Sequence, residues 1–246
     1  MAAHAYSDER VNAGVRPERH EADYASGSLP EWLAQRRLHP LFEERLRRLD
    51  WKGVRVLDVG TGKGRAALLL AELGAVVIGI DWDGAALAEA RRLASERGVR
   101  AAWFLEADAD SLDYRLAFPG LRAVTAHLCV SEEIVRRAGT ALPRSGRLLL
   151  CAIHADTGKE IGRGSRFAFT EESLEETLRA AGFDAEWMAV DSFTVAYGSL
   201  QEFTATRPEA VERWKREGAW QDIAERFEGG GRRLTTASLL ADALKT

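Results

Sequence analysis

The chain has 246 residues, and 46% of them are hydrophobic, which is enough for a folded core and excludes an intrinsically disordered chain. Its formal net charge of −4 argues against a nucleic-acid binder, because such proteins usually present a basic field. The length suits one large α/β domain, alone or with appendages.

Neither a signal peptide nor a membrane span is predicted. The first residues contain no apolar h-region, and the longest apolar runs, at residues 68–73 and 148–153, are too short to cross a bilayer. We therefore expect a soluble, cytoplasmic protein. Cys129 and Cys151 lie in apolar runs and are expected to be buried, reduced thiols. No cysteine and histidine spacing predicts a metal site.

The N-terminal part has little pattern before residue 30. Residues 1–29 are polar and contain a Ser-Gly-Ser stretch at 26–28, so we interpret them as a flexible arm or lid. Pro30 suits the first turn of a helix. That helix is predicted over residues 31–49, with a break or kink at Pro40.

From residue 54 onward, short apolar strands alternate with amphipathic helices. Strands are predicted at residues 54–59, 76–80, 101–105, 123–127 and 147–153. Helices are predicted at residues 65–73, 85–97 and 132–141, and another begins after Thr170. The strands are apolar on both faces, as burial from two sides requires. The pattern predicts an α/β fold with a doubly wound, mostly parallel, seven-stranded sheet and helices on both faces.

The end of the chain is assigned less regular structure. Residues 185–190 and 202–206 are predicted as the last strands, and residues 207–246 as helices interrupted by three glycines at 229–231. Three parts follow: an N-terminal arm and helix over 1–50, a Rossmann-like domain over 51–206, and a C-terminal helical extension over 207–246.

The most informative segment places Gly60, Gly62 and Gly64 between a predicted strand and a predicted helix. Glycines let the backbone approach a ligand closely, and the start of the helix offers unpaired N–H groups. The spacing is Asp-x-Gly-x-Gly-x-Gly. It is neither the dinucleotide fingerprint, whose third glycine position is occupied by Arg65, nor a Walker loop.

An acid stands at the end of the next predicted strand, in Ile78-Gly-Ile-Asp81-Trp82. A carboxylate about twenty residues past the glycines can accept hydrogen bonds from both ribose hydroxyls of a nucleotide. Trp82 offers a flat face for a purine. The alternatives are a helix N-cap for Asp81, a role that Asp83 could take instead, and packing for Trp82.

Taken together, residues 54–154 resemble the core of class I methyltransferases. Val56-Leu-Asp-Val-Gly-Thr-Gly-Lys-Gly64 is similar to the first motif of that family, Gly79-Ile-Asp-Trp82 to the second, and Leu105-Glu-Ala-Asp108-Ala109 to the third. The resemblance implies S-adenosylmethionine as the cofactor. The cofactor-binding residues that it implies are Asp58, Gly60, Thr61, Gly62, Gly64, Asp81, Trp82, Asp108, Ala109 and His127.

Two departures from the family pattern concern the fourth strand. The Phe-Asp pair that often precedes this strand is absent, since the chain reads Phe118-Pro-Gly. Base-methylating relatives have a nucleophilic cysteine after a proline near this position, whereas Leu128 precedes Cys129 here. We therefore interpret Cys129 as a core residue.

Candidate residues for chemistry must come from the carboxyl ends of the strands or from a lid. His127, at the end of the fourth strand, is the candidate catalytic residue, with a structural histidine as the alternative. His154 ends the fifth strand, and His20 and Tyr24 lie in the N-terminal arm; these three are candidate substrate or lid residues.

The expected function is methyl transfer from S-adenosylmethionine to an oxygen or nitrogen of a small-molecule acceptor. The cofactor's methyl is already activated, so alignment can supply most of the catalysis, and a base is needed only if the acceptor must lose a proton. The alternatives are an RNA or protein methyltransferase and a non-catalytic nucleotide-binding module. The glycine spacing disfavours an NAD-dependent oxidoreductase.

Overall fold

The computed structural model describes residues 15–25, 28–161, 167–216 and 218–246. Nine strands within these ranges join one sheet. They are β1 (Glu18–Tyr24), β2 (Arg55–Val59), β3 (Val76–Asp81), β4 (Ala102–Glu106), β5 (Ala123–His127), β6 (Arg147–His154), β7 (Ala168–Phe169), β8 (Phe183–Ala196) and β9 (Arg233–Lys245).

The order of strands places the ends of β2 and β5 at the centre of the sheet. The order is β1-β8-β9-β6-β5-β2-β3-β4, and β7 pairs with β6. All pairs are parallel except those of β9, which runs antiparallel to β6 and β8. The predicted α/β fold is confirmed, with nine strands in the described residues instead of seven. Open α/β sheets bind ligands beyond the strand ends where the order reverses, here between β2 and β5.

Helices cover both faces of this sheet. Those in the described residues are α1 (Glu31–Ala34), α2 (Pro40–Arg48), α3 (Arg65–Glu72), α4 (Gly84–Glu96), α5 (Tyr114–Ala117), α6 (Glu132–Ala141), α7 (Glu171–Ala180), α8 (Leu200–Thr206), α9 (Pro208–Arg216) and α10 (Trp220–Glu228). Hydroxyl side chains cap two of these helices, since Ser131 and Thr170 accept hydrogen bonds from the N–H groups of Ile134 and Ser173. None of the described helices is long and apolar enough to cross a membrane.

Neighbouring residues of the central strands belong to opposite halves of the core. Leu57 and Leu148 cluster with buried residues of α6 and α7. Val56 and Leu149 cluster with buried residues of α2, α3 and α4. Because successive side chains of a strand point to opposite faces, two apolar layers form, and the strands must be apolar throughout, as the sequence predicted.

The C-terminal prediction needs four corrections. Residues 202–206 form part of helix α8, which Ser199 caps and whose Phe203 is buried, and are not a strand. Residues 233–245, predicted as helix, form strand β9, and β8 is longer than the predicted 185–190. Since β9 lies between β6 and β8 in the sheet, the predicted boundary of the domain at residue 206 is wrong.

The N-terminal prediction is partly corrected. Residues 18–24, predicted as flexible, form β1 along the edge of the sheet and pair in parallel with β8. The predicted helix over 31–49 is two helices, and Pro40 opens the second instead of kinking a single one. Residues 1–14 and 26–27, which include most of the Ser-Gly-Ser stretch, lie outside the described residues.

Buried charge fixes α2 against the sheet. Asp242 of β9 is fully buried, and its carboxylate accepts hydrogen bonds at 2.6 Å from Arg45 of α2 and from Arg147 of β6. Charge-assisted pairs of this kind are directional, so they hold α2, and with it the turn that precedes α2, in one orientation.

Candidate functional site

The loop of residues 60–64 between β2 and α3, here called the glycine loop, has a backbone that favours glycine. Gly60, Gly62 and Gly64 have φ of 62°, 51° and 77°. These values lie in the left-handed region, which costs other residues about 1–2 kcal/mol. At Gly60 a Cβ would also lie 2.3 Å from the sulfur of Cys129, whereas at Gly62 it would meet no atom within 4 Å. Gly60 is thus required for packing, and Gly62 faces open space.

Asp58 anchors the start of the glycine loop. Its buried carboxylate accepts hydrogen bonds from the hydroxyls of Thr61 at 2.6 Å and Thr125 at 2.8 Å. Burial outweighs these hydrogen bonds and raises the pKa of Asp58 from its usual 3.8 to about 6. The predicted residue therefore lies in the site, where its two hydroxyl partners tie β2, the loop and β5 together.

Asp83, and not Asp81, caps the helix that follows β3. The side chain of Asp83 accepts hydrogen bonds from the N–H groups of Ala85 and Ala86 and caps α4. Asp81, at the end of β3, accepts a hydrogen bond from the N–H of Gly62 at 2.8 Å. Asp81 therefore holds the glycine loop in position. Trp82, the next residue, is 81% exposed.

Asp108 and Ala109 follow β4, the strand next to β3. The side chain of Asp108 accepts a hydrogen bond from the N–H of Asp110 at 3.0 Å, and the carbonyl of Ala109 accepts one from the hydroxyl of Tyr114 at 3.1 Å. The turn after β4 is therefore held by its own hydrogen bonds. Since β3 and β4 pair in parallel, this turn leaves the sheet on the same edge as Asp81.

His127 lies at the end of β5, and its Nε2 accepts a hydrogen bond from the backbone N–H of His39 at 3.0 Å. Burial of the ring, together with the charges of His39 and Arg65, lowers the pKa of His127 to about 3. The imidazole is thus neutral, and the nitrogen that carries its lone pair is already an acceptor. This geometry favours the structural alternative over a general base.

A cavity of about 270 Å³ lies between the glycine loop and the turn that joins α1 to α2. One wall consists of residues of the α1–α2 segment, which the sequence did not identify. The residues that line the cavity are Trp32, Leu33, Arg36, Arg37, Leu38, Asp58, Gly60, Thr61, Gly62, Lys63, Arg65, Ala66, His127 and Leu128.

His20, Tyr24 and His154 do not line this cavity. His20 is exposed on β1, and Tyr24 packs edge-to-face on Phe193, with ring centroids 5.7 Å apart. The ring of His154 accepts a hydrogen bond from the N–H of Asp156 through Nδ1 and lies 2.9 Å from the carboxylate of Glu171 through Nε2. His154 is thus bonded through both ring nitrogens.

Both cysteines are free thiols, and Cys151 is buried whereas Cys129 is partly buried. Burial raises the pKa of Cys129 to about 12 and also raises that of Cys151. The thiol of Cys129 donates to the carbonyl of Val59 at 3.1 Å. A thiol with so high a pKa is a poor nucleophile, which agrees with the interpretation of Cys129 as a core residue.

The region that contains the glycine loop matches a known protein family. Residues 56–145, from β2 to the turn before β6, match a family described as methyltransferase domain. Residues 56–145 therefore form a methyltransferase domain, and the resemblance to class I, S-adenosylmethionine-dependent methyltransferases is confirmed for this part of the chain. The glycine loop and Asp81 at the end of β3, which carry the first two motifs identified in the sequence, lie within the matched residues.

A curated relative is similar to half of the chain. The ribosomal protein L11 methyltransferase of Thermus thermophilus is 34% identical over 128 residues, which are 50% of this chain and 49% of that protein. The chain therefore spans about half the length of this curated relative.

The two solved structures are similar in fold. YcgJ of Bacillus subtilis has a TM-score of 0.62 and 18% identity, over 84% of this chain and 99% of that one. A phosphoethanolamine N-methyltransferase of Haemonchus contortus, in complex with phosphomonomethylethanolamine and S-adenosylhomocysteine, has a TM-score of 0.55 and 18% identity, over 83% of this chain and 52% of that one.

Proposed function

We propose that this methyltransferase transfers a methyl group from S-adenosylmethionine to an oxygen or nitrogen of a small-molecule acceptor. The observation that carries the proposal is the cavity of about 270 Å³ beside the glycine loop. Its size is just below the usual range of small-ligand pockets, which is about 300–1,000 Å³. The small phosphate ester in the Haemonchus contortus structure is a precedent on a similar fold.

The residues present suit the cofactor. Gly62 leaves open space where a side chain would stand, and Trp82 leaves an indole face exposed. Asp81 would accept hydrogen bonds from the ribose hydroxyls while holding Gly62, and Asp108 with Ala109 would contact the adenine amino group. When bound, the cofactor supplies an activated methyl group on a sulfonium.

The contribution of the protein to the reaction is then mainly alignment and exclusion of water. The α1–α2 segment closes the cavity opposite the glycine loop, and Trp32, Leu33 and Leu38 give that wall an apolar surface. We assign His127 to the same wall, because its hydrogen bond with His39 links β5 to the start of α2. An acceptor held in line with the methyl group needs no further group from the protein unless it must lose a proton.

A screen of metabolites with radiolabelled methyl donor tests the proposal. Binding of S-adenosylhomocysteine should raise the melting temperature, since a ligand at 100 times its Kd adds about 2.7 kcal/mol to the free energy of unfolding. Label should then appear in a small molecule. A melting shift with NAD and none with S-adenosylhomocysteine would contradict the assignment of the cofactor.

A protein acceptor is the second candidate, and the Thermus thermophilus relative favours it. The same assay with ribosomal protein L11 as acceptor separates the two. Transfer of label to that protein, with no labelled small molecule in the screen, would support the second candidate over the first.

A further inference from the structure

Leu128 lines the cavity in a backbone conformation that leucine rarely adopts. It follows β5 directly, has a φ of 62° and is 38% exposed. The left-handed region is unfavourable for residues with a Cβ atom, and glycine or asparagine is common there. A leucine side chain stabilises the fold only where it is buried, so the exposed part contributes little. The stability of the chain therefore explains neither feature of Leu128.

The residues on either side hold Leu128 in this conformation. Before it, the Nε2 atom of His127 accepts a hydrogen bond from the N–H of His39 at 3.0 Å. After it, the thiol of Cys129 donates to a carbonyl of β2 at 3.1 Å. The N–H of Leu128 itself donates to the carbonyl of Cys151 at 2.6 Å. A strained backbone persists where its surroundings determine it in this way, and such residues cluster at functional sites.

The hydrogen bond between His39 and His127 also connects Leu128 to Trp32 of α1. The ring of Trp32 packs on the ring of His39, with centroids 4.7 Å apart. His39 donates its N–H to His127, which is the residue before Leu128. Trp32 and Leu128 both line the cavity. These contacts hold the two apolar side chains in a fixed relation, so they form one preformed apolar surface of the cavity.

Leu33 and Leu38 extend this apolar surface along the α1–α2 wall. Arg36 and Arg37 border it on the same wall, and Arg37 lies 3.7 Å from the carboxylate of Glu31. The glycine loop on the other side of the cavity supplies the backbone and polar groups that suit the cofactor of the proposed function. The apolar surface is therefore available to a second ligand.

We infer that the acceptor presents an apolar face, such as an aromatic ring, to Leu128 and Trp32, and that Leu128 is a specificity-determining residue. An apolar group packed on Leu128 would remove its exposed surface from water, which is favourable. The indole of Trp32 offers a flat face on which an aromatic ring can stack. This inference rests on the proposed function and adds the chemical class of the acceptor and the residue that selects it.

Calorimetric titration with indole tests the inference on the chain saturated with S-adenosylhomocysteine, because indole is a small, flat and uncharged apolar probe. Indole should bind with a stoichiometry of one. Leu128→Asn should weaken this binding about fivefold or more, because asparagine tolerates the left-handed conformation but replaces apolar contacts with a polar amide. Leu128→Met keeps an apolar side chain and should retain more of the affinity than Leu128→Asn. Phosphoethanolamine, which lacks an apolar face, should bind the saturated wild-type chain more weakly than indole.

The matched control is Ser145→Asn. Ser145 has the same φ of 62° but lies in the turn before β6 and does not line the cavity. This variant should leave the affinity for indole unchanged. The affinity for S-adenosylhomocysteine should change less than about threefold in Leu128→Asn and Ser145→Asn, because neither removes a polar contact proposed for the cofactor. Melting temperatures establish that the variants are folded, and the comparison of indole with phosphoethanolamine uses the wild-type chain and needs no variant.

Four results would overturn the inference. If Leu128→Asn loses affinity for S-adenosylhomocysteine as well as for indole, Leu128 serves the cofactor and the proposed function stands. If indole does not bind the saturated chain, or binds Leu128→Asn as tightly as wild type, Leu128 does not select the acceptor. If phosphoethanolamine binds more tightly than indole, the acceptor is polar. If S-adenosylhomocysteine itself does not bind, the proposed function fails, and the inference fails with it.

Discussion

The carboxylate of Asp81 accepts a hydrogen bond from the backbone N–H of Gly62 across 2.8 Å. Its other oxygen accepts one from the N–H of Asp83 at 3.0 Å. One side chain at the end of β3 therefore sets the position of the glycine loop and of the turn into α4. Any ligand that reaches both segments depends on this carboxylate.

The first prediction concerns this residue. Asp81→Ala should lower the affinity for S-adenosylhomocysteine about tenfold or more, since charge-assisted hydrogen bonds are worth roughly 1.5–3 kcal/mol. Asp83→Ala is the matched control: it removes the α4 cap and should cost about 1 kcal/mol of stability with little change in affinity. Calorimetric titration of both variants measures the difference. Unchanged affinity in a folded Asp81→Ala protein would refute a ligand role for Asp81.

The second prediction separates two glycines of the loop. Gly60→Ala should be less stable than Gly62→Ala by about 1–3 kcal/mol, because only the first adds a methyl against the sulfur of Cys129. Gly62→Ala should lose more affinity for S-adenosylhomocysteine, because its methyl would occupy the space open to a ligand. Urea denaturation measures the stabilities. Replacing Cys129 with alanine in the Gly60→Ala background should recover part of the loss.

The residues of the glycine loop could be predicted because local rules determine them. Gly60, Gly62 and Gly64 are needed for positive φ or close packing, and Asp81 follows a β-branched strand whose end is fixed by its own pattern. Parallel strands place such ends on one edge, so the sequence brought these residues together without any tertiary information.

The opposite wall could not be predicted in this way. Helix α1 has four residues, too few to show a periodicity, and Arg36 takes a conformation that its residue type disfavours. The sequence of β9 does not distinguish it from a helix, because a central strand buried on both faces shows no alternation of polar and apolar residues. Pairing with β6 and β8, which are distant in sequence, makes residues 233–245 a strand.

The third prediction is a pH effect from Asp58. Its pKa rises from 3.8 to about 6 on folding, so the folded chain binds the proton more tightly than the unfolded chain. Stability from this group is present below about pH 4 and is lost as the pH rises through 6, by roughly 3 kcal/mol. Asp58→Asn should lack this loss. The free energy of unfolding of the variant minus that of the wild type should therefore increase from pH 4 to pH 7 in urea titrations.

The fourth prediction has the opposite sign and comes from His127. Its pKa falls from 6.5 to about 3 on folding, so its contribution is present above pH 6.5 and is lost as the pH falls towards 3. Between about pH 6.5 and pH 4 this loss should reach roughly 3 kcal/mol. His127→Gln keeps an acceptor for the N–H of His39 but does not titrate, so it should lose less stability on acidification. Parallel pH profiles for the two proteins would contradict the burial of a neutral ring.

The last prediction concerns the N-terminal strand. Deleting residues 1–25 removes β1, which pairs with β8 over seven residues and contributes the ring of Tyr24 against Phe193. It also removes two ion pairs, Arg19 with Glu171 and Asp23 with Arg233. The truncated chain should still fold, because the rest of the sheet keeps its order. Its free energy of unfolding should be lower, because these contacts are lost.

The deletion should affect association more than cofactor binding. Strand β8 would become an unprotected edge, and long exposed edges pair with other chains. Sedimentation should therefore detect more self-association in the truncated chain than in the full chain. The glycine loop follows β2, which is four strands away from β8 in the sheet order. The affinity of the truncated chain for S-adenosylhomocysteine should therefore stay within about threefold of that of the full chain. A lid role for the arm, which the sequence suggested through His20 and Tyr24, predicts instead a loss of methyl transfer at unchanged cofactor affinity. If the truncated chain stays monomeric and loses cofactor affinity, the arm reaches the cofactor site, and its assignment as an edge strand remote from that site is wrong.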